Sequence, residues 1–269
     1  RPILIHEIGH ALGLKHPFES ASYSPVLLPV NKDTEQYTVM SYTPHQHSLY
    51  ADVTDTGGGS YSISFPTIQP DGPMVLDILA AQYIYGANTT YHTGNDTYTF
   101  DPGTPFLHTI WDAGGNDTIS VANFTVACLI DLTPGSYSSL HMPINLPESY
   151  GGGIIPTYDG TDNLGIAFDC WIENATGGSG NDTLKGNAVA NVLAGGIGAD
   201  QLYGGLGNDH LDGGDGTDAA QFNGSRTGYT IARSVAGWTV TDTNLADGDD
   251  GIDTLTGIEQ LQFADGQYR

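Results

Sequence analysis

An apolar residue recurs at every ninth position over residues 177–221, and this is the most regular pattern in the chain. The segment divides without a gap into the blocks GGSGNDTLK, GNAVANVLA, GGIGADQLY, GGLGNDHLD and GGDGTDAAQ. In the repeat G-G-x-G-x-D-x-U-x, a glycine turn precedes a short strand that points one apolar residue inward. The pattern therefore predicts stacked short strands, and a disordered glycine-rich tract is disfavoured by the strict period. The predicted inward residues are Leu184, Leu193, Leu202, Leu211 and Ala220.

Two further segments have a readable alternation of apolar and polar positions. PMVLDILAAQYIYG, residues 73–86, begins with proline, carries apolar residues at helical spacing and ends in glycine, which predicts a helix. After residue 221, YTIARSVAGWTVTDT and DGIDTLTGIEQLQFADG predict short strands separated by turns. No run of apolar residues is long enough to cross a bilayer.

The composition adds a large acidic excess to this picture. Seven basic residues against 31 acidic ones give a formal net charge of -24 over 269 residues. Such a charge repels nucleic acid and anionic membranes, and it makes divalent cations, calcium first, the natural partners. Cys128 and Cys170 are the only cysteines. They form either one disulfide or two buried thiols, and their sequence separation favours neither.

The sequence HEIGHALGLKH, which begins at His6, carries the strongest chemical signal. On a helix, His6 and His10 lie one turn apart on one face, so both imidazoles can reach one ion. A continued helix would turn His16 about 240° away, so the helix has to end at Gly13, which can adopt a left-handed conformation. Three histidines leave one position of a tetrahedral zinc ion for water, as in catalytic sites, and Glu7 is placed to act as general base. Any one histidine alone would be interpreted as an ordinary surface or core residue, but the full pattern favours zinc.

The segment YTVMSY follows this motif and contains Met40 and Tyr42. A long zinc motif followed by methionine in a tight turn resembles the metzincin metalloproteases, and the sequences HP after the motif and MSY resemble the serralysin branch. The resemblance implies that Met40 forms an apolar floor under the zinc. It also implies that Tyr42 is a further zinc ligand that can stabilise the reaction's oxyanion. His45 and His47 lie just after this turn and are interpreted as solvated loop residues rather than ligands.

The nine-residue blocks resemble the parallel β-roll of RTX proteins, in which successive turns share calcium ions. The glycine turns expose carbonyl oxygens and the sixth residue of each block supplies a side-chain oxygen. The second block has Asn187 and Val189 in place of glycines, which predicts a weaker or differently built site. The predicted calcium positions of the blocks are Gly178, Gly180, Asp182, Asn191, Gly196, Gly198, Asp200, Gly205, Gly207, Asp209, Gly214, Gly216 and Asp218.

Similar turns occur before the regular blocks. HTGNDT and WDAGGNDT resemble calcium sites of serralysins, and a glutamate in WIENATGGSGND is expected to join the first ion of the roll. Each of these could also be a plain turn. The predicted positions are Gly94, Asp96, Asp112, Gly114, Gly115, Asp117 and Glu173.

Taken together, these features predict an α+β chain in which part of a metzincin catalytic domain precedes an all-β parallel β-roll. The predicted divisions are a catalytic part at residues 1–88, a calcium-binding β-roll or β-sandwich domain at residues 89–221, and a short-strand module at residues 222–269. A zinc helix normally packs against a sheet or other helices, and almost nothing precedes it here. The chain is therefore expected to lack an N-terminal catalytic part and to be inactive alone.

The serralysin resemblance covers most of residues 3–221. It implies a secreted, extracellular bacterial metalloendopeptidase that cleaves protein or peptide substrates with one catalytic zinc ion. It further implies several structural calcium ions and export by type I secretion machinery through an uncleaved C-terminal signal, with no nucleic-acid or membrane partner. The rival interpretation is a calcium-dependent extracellular adhesive or structural module with a vestigial protease site. Another kind of zinc hydrolase fits the ligands but explains the methionine turn less well.

Overall fold

The chain folds into a mostly β structure that begins with the helix of the histidine motif. A computed structural model describes the residues 2–22, 24–144, 146–147, 150–246 and 248–268. The predicted domain limits at residues 1 and 269 lie outside them. The α-helices among the described residues are α1 (Pro2–Ala11) and α2 (Val75–Tyr85). Neither of these helices has the length and apolar run that a membrane span requires.

Both predicted helices are confirmed, including the reason why each one ends. Helix α1 ends at Ala11, and Gly13 then adopts a φ of +88°. Its amide donates to the carbonyl of His10 at 2.9 Å, so the chain leaves the helix axis before His16. Helix α2 ends in the same way, because Gly86 follows it with a φ of +84°.

The remaining secondary structure is nearly all β, and most strands are only three residues long. Strands β1 and β2 form an isolated antiparallel hairpin, and the others form larger sheets. In chain order the strands of the described residues are β1 (Asp52–Gly57), β2 (Ser60–Ser64), β3 (Thr97–Thr99), β4 (His108–Ile110), β5 (Thr118–Ser120), β6 (Leu129–Asp131), β7 (Tyr137–Ser138), β8 (Leu164–Ile166), β9 (Asn174–Thr176), β10 (Thr183–Lys185), β11 (Val192–Gly198), β12 (Gln201–Tyr203), β13 (His210–Gly216), β14 (Ala219–Gln221), β15 (Tyr229–Ser234), β16 (Gly237–Asp242), β17 (Ile252–Thr256), β18 (Gln260–Phe263) and β19 (Gly266–Tyr268).

Two sheets run the length of the repeats, with strand order β15-β16-β17-β13-β11-β9-β5-β3 in one and β19-β18-β14-β12-β10-β6 in the other. Successive blocks contribute strands to alternate sheets, so strands 18 residues apart pair in parallel: Leu184 with Leu202, and Leu193 with Leu211. A third, smaller sheet has the order β4-β8-β7. The predicted inward residues are confirmed, because all of them are fully buried in one hydrophobic core.

The turns of successive coils stack so closely that only glycine fits at several of their positions. A Cβ atom on Gly198 would lie 2.1 Å from the carbonyl oxygen of Gly180, and Gly198 has a φ of +148°. A Cβ atom on Gly214 would lie at the same distance from the carbonyl oxygen of Gly196. The glycine turns therefore form a continuous stack of backbone along each edge of the roll.

The short strands predicted after residue 221 are confirmed, and they continue the roll. Leu255 of β17 pairs with Leu211, and Leu261 of β18 pairs with Ala220. Between these strands and the last regular block, the chain forms the antiparallel hairpin β15–β16, which pairs with β17. The division of the chain at residues 88 and 221 stays a prediction.

The two cysteines are buried thiols, which decides between the two alternatives that their spacing left open. The amide of Asp112 donates to Sγ of Cys170 at 3.2 Å. Burial raises the pKa of both the Cys128 and the Cys170 thiol to about 12. Both groups therefore remain protonated at neutral pH, and they contribute packing rather than reactivity.

Candidate metal sites

The three histidines of the motif converge on one point. The Nε2 atom of His16 lies 3.2 Å from Nε2 of His6 and 3.1 Å from Nε2 of His10. Two nitrogens that bind a tetrahedral zinc ion at about 2.0–2.1 Å are separated by about 3.3 Å. The spacing therefore fits the binding of a single zinc ion by all three ring nitrogens.

An oxygen atom lies close to the opposite nitrogen of each ring. Nδ1 of His6 contacts the carbonyl oxygen of Val39 at 2.7 Å, and Nδ1 of His10 contacts that of Leu14 at 3.0 Å. Nδ1 of His16 lies 2.9 Å from a carboxylate oxygen of Glu19. The two carbonyl oxygens favour the proton on Nδ1 of His6 and His10 and leave their Nε2 lone pairs directed at the shared point, as second-shell partners of metal-binding histidines do. Nδ1 of His16 makes no hydrogen bond among the described residues, although the Glu19 carboxylate lies close to it.

The turn after the motif supplies two side chains to this cluster. The hydroxyl of Tyr42 lies 2.8 Å from Nε2 of His16, and its ring stacks on His6 with centroids 5.3 Å apart. Met40 is almost fully buried, and its sulfur packs against Gly9, the residue before His10. Glu7 lies between His6 and His10 on α1 and is exposed to solvent.

A buried aspartate that the sequence pattern did not single out holds the methionine turn in place. The carboxylate of Asp77, 5% exposed, accepts hydrogen bonds from the Thr38 hydroxyl at 2.6 Å and from the amides of Val39 and Met74 at 2.8 and 2.9 Å. Burial raises its pKa, and the three hydrogen bonds oppose that shift. The only signal for this role in the sequence is a charged residue within the apolar run VLDILAAQYIY.

We expect Gly9→Ala to weaken zinc binding, because an added Cβ atom would lie 2.4 Å from the sulfur of Met40. Overpacking of this kind costs about 1–3 kcal/mol, so zinc affinity should fall by about 5- to 150-fold. Competition with a zinc-sensitive dye measures the change. The double variant Gly9→Ala, Met40→Ala should recover part of the loss, and equal affinities in all three proteins would contradict the expected clash.

The second group of candidate ligands forms ladders along the two edges of the roll. On one edge, a carboxylate oxygen of each residue accepts the backbone N–H of its counterpart in the preceding coil. The acceptor and donor pairs are Asp117 with Asp96 at 2.7 Å, Glu173 with Asp117 at 2.8 Å, Asp209 with Asn191 at 2.8 Å, and Asp253 with Asp209 at 2.9 Å. The ladder thus brings together predicted residues from three separate segments.

The opposite edge repeats this arrangement. Its acceptor and donor pairs are Asp182 with Cys128 at 2.7 Å, Asp200 with Asp182 at 2.7 Å, Asp218 with Asp200 at 2.8 Å, and Glu259 with Asp218 at 2.8 Å. Asp253 and Glu259 were missed by the sequence analysis. Each precedes a buried leucine by two residues, as the aspartate of a regular block does, and this was the available signal.

The second carboxylate oxygen has no partner at several rungs. Oδ2 of Asp117, Asp200, Asp209 and Asp218 is buried without a hydrogen bond among the described residues. A buried, unpaired carboxylate oxygen is strongly unfavourable. Calcium prefers carboxylate and carbonyl oxygens, and the stacked glycine turns place carbonyls beside these side chains, so the residues present fit calcium.

A family comparison covers most of the chain. Residues 75–266 match the family model described as peptidase M10 serralysin C terminal. The chain belongs to this family. The matched residues include both ladders and helix α2, whereas His6, His10, His16 and Tyr42 precede them.

Several curated proteins of the serralysin type are similar to the chain. It is 36% identical over 209 residues to serralysin of Proteus mirabilis, covering 72% of this chain and 36% of that protein. It is 37% identical over 209 residues to metalloprotease AprA of Pseudomonas entomophila (strain L48), covering 72% of this chain and 38% of that protein. The chain is 35% identical over 202 residues to serralysin C of Dickeya chrysanthemi, covering 68% of this chain and 36% of that protein. The chain thus spans little more than a third of the length of these relatives.

A further cluster in this serralysin-family chain joins a histidine to two predicted residues before the regular blocks. Ligand atoms of His92, Asp96 and Asp112 all lie within 4.8 Å of one another. Nδ1 of His92 lies 2.8 Å from Oδ2 of Asp96. The Asp112 carboxylate is already engaged, because it accepts from the Tyr98 hydroxyl at 2.6 Å and from the Gly114 amide at 2.8 Å.

The remaining predicted residues are placed as follows. Gly115 stacks on Gly94, because a Cβ atom on Gly115 would lie 1.9 Å from the Gly94 carbonyl oxygen. His45 and His47 lie away from the three-histidine cluster, and their rings contact the carbonyls of Thr161 and Thr157. The interpretation of His45 as a solvated residue is wrong, because it is only 3% exposed.

Calcium affinity is expected to fall with decreasing pH. Burial is the main cause that raises the pKa of Asp200 and of Asp209 to about 6, and that of Asp253 to about 8. Protons therefore stabilise the calcium-free fold below these values and compete with calcium, while that stabilisation disappears as the pH rises through them. Calcium titrations followed by tryptophan fluorescence should give a midpoint at pH 5 at least tenfold above that at pH 8. A midpoint independent of pH would contradict a role for these carboxylates.

Proposed function

We propose that this chain is the zinc-binding and calcium-binding part of a secreted endopeptidase that hydrolyses peptide bonds. One observation carries the proposal, namely that Nε2 of His16 lies 3.2 and 3.1 Å from Nε2 of His6 and His10. The names serralysin and metalloprotease among the relatives support the class of reaction. Because the chain covers 36 to 38% of these two relatives, the activity, substrates and export of the whole protein are part of the proposal.

The chain's own residues would divide the work of peptide hydrolysis. Zinc, when bound, lowers the pKa of a water molecule and polarises a peptide carbonyl. Glu7 is exposed beside the ligands, so its carboxylate can accept a proton from water and return it to the departing amine. Tyr42 is 63% exposed, and its hydroxyl is directed toward the cluster. The hydroxyl can therefore donate a hydrogen bond to the oxygen that becomes negatively charged.

The roll would stabilise the protein through calcium. The support is the set of buried, unpaired oxygens on Asp117, Asp200, Asp209 and Asp218. In the proposed function, Asp253 and Glu259 extend the predicted calcium positions beyond the regular blocks. Calcium is abundant outside cells, where weak oxygen sites of this kind are filled, so the proposal includes an extracellular location reached by type I secretion.

The decisive experiment is casein hydrolysis by the purified full-length protein, wild type against Glu7→Gln. We expect the variant to retain zinc and to lose activity by about a hundredfold or more, because general base catalysis contributes about 10²–10⁴-fold. Glu35→Gln is the matched control, because the Glu35 carboxylate accepts from Gln69 at 3.1 Å and has no proposed part in the chemistry. Equal activities of Glu7→Gln and wild type would refute the assigned role.

A calcium-dependent extracellular adhesive or structural module is the second candidate. It is favoured by the family match, which covers the roll and leaves out the histidine motif. Full-length wild-type protein that contains zinc but cleaves no peptide bond in casein would support this candidate. Zinc-dependent cleavage would support the endopeptidase.

A further inference from the structure

The second block of the roll differs from its neighbours in the side chains of its turn. Its turn places two asparagine amides where other blocks have glycine and aspartate, and both residues are buried, with Asn187 7% and Asn191 1% exposed. The Nδ2 group of Asn187 donates to the carbonyl oxygens of Leu132 at 3.1 Å and Ile172 at 2.8 Å. These carbonyls belong to neighbouring segments of the roll.

The amide of Asn191 is engaged just as fully. Its Oδ1 accepts the backbone N–H of Asn187 at 2.7 Å. Its Nδ2 donates to the carbonyl of Glu173 at 2.9 Å and to Oδ1 of Asn187 at 3.2 Å. Oδ1 of Asn187 also accepts the N–H of Val189 at 3.1 Å. Both side chains therefore have partners for oxygen and nitrogen alike.

The contrast with the aspartate turns indicates what this difference does. Asp200, Asp209 and Asp218 each bury one carboxylate oxygen without a partner. A carboxylate accepts hydrogen bonds only, so it cannot satisfy the carbonyl oxygens of an adjacent turn, and a cation must sit between them. An asparagine amide is neutral and carries two N–H donors, so it can bond to such carbonyls directly.

We propose that the turn at residues 186–191 binds no calcium, and that the Asn187 and Asn191 amides take the place of the ion. This departs from the prediction that Asn191 is a calcium ligand. The turn stays in register with its neighbour, because the backbone N–H of Asn191 donates to Oδ1 of Asp209 at 2.8 Å. The roll thus contains one rung whose order is independent of calcium. The expected calcium counts rest on the proposed calcium binding of the other turns, but the order of this rung does not.

Calcium content per chain tests the first half of this proposal. Asn191→Ala should leave the number of bound calcium ions unchanged, whereas Asp200→Ala, the same position in the next block, should lower it by at least one. The triple variant Asn187→Gly, Val189→Gly, Asn191→Asp restores the regular pattern and should gain one ion. Loss of calcium in Asn191→Ala, or no gain in a folded triple variant, would overturn the proposal.

Hydrogen exchange of the wild-type chain in calcium-free buffer tests the second half. The matched amides are Val192, bonded to Glu173 at 3.1 Å, and Gln201, bonded to Asp182 at 2.9 Å, which occupy the same block position. Val192 should exchange at least about tenfold more slowly than Gln201. Equal rates would refute a calcium-independent rung. This comparison needs no variant and no bound calcium. A chain that binds no calcium at all would therefore contradict the proposed calcium function but not the calcium-independent rung.

Discussion

Removal of calcium is expected to destabilise the aspartate turns of the roll strongly. The ladder buries an unpaired oxygen at Asp117, Asp200, Asp209 and Asp218, and leaving a buried charge without a partner costs about 3–5 kcal/mol. A domain is stabilised by only about 5–15 kcal/mol in total. The loss at several rungs together should therefore remove a large part of the stability of the roll.

Circular dichroism and thermal unfolding in EGTA measure this effect. The midpoint temperature should fall by more than about 10 °C, and restored calcium should reverse the change. Magnesium at the same ionic strength is the control, because it prefers a smaller, octahedral, partly hydrated site and should rescue the fold poorly. An unchanged unfolding temperature in EGTA would mean that the ladder is stable without ions.

Loss of zinc from His10→Ala is the second large effect that we expect. Among the described residues, the nitrogens that converge on this point are the Nε2 atoms of the three histidines, and His10 is held by the Leu14 carbonyl at 3.0 Å. Changing an outer partner of a metal ligand already costs about 10–100-fold in affinity, so removal of a direct ligand should cost more than a hundredfold.

Metal content by mass spectrometry measures the loss, with calcium counted in the same sample. His47→Ala is the matched control, because His47 lies beside Thr157 and Asp159 rather than in the cluster. Zinc should disappear only in His10→Ala, while calcium stays the same in both variants. A His10→Ala protein that keeps one tightly bound zinc ion would show that the ion is held elsewhere.

The parts of this structure that follow from the sequence are those governed by short, regular spacing. Nine-residue periodicity places Leu184 and Leu202 inside because each strand of the coil has only one inward position. The spacing of His6 and His10 aligns them on one helical turn, and Gly13 was identifiable as the stop because few other residues adopt its φ of +88°.

The parts that the sequence did not predict depend on contacts between distant segments. In the sequence, Asp77 is only a charged residue within an apolar helix. Its role depends on the hydrogen bond from the hydroxyl of Thr38, which lies 39 residues away. The contact of Gly9 with Met40 has the same origin. Asp253 escaped notice because the β15–β16 hairpin interrupts the nine-residue count before it, although the register with Asp209 is preserved.

The hairpin that interrupts the roll also shows that the coil can accommodate an inserted segment. The chain departs after Gln221, forms β15 and β16, and rejoins both sheets with Leu255 and Leu261 at the expected inward positions. A foreign segment grafted at this point would have to return its ends to the same two strands and also replace the buried Tyr229, Trp238 and Val240 of the hairpin. New binding surfaces could therefore be introduced on the exposed side of this hairpin, whereas its buried side has to be kept as part of the core.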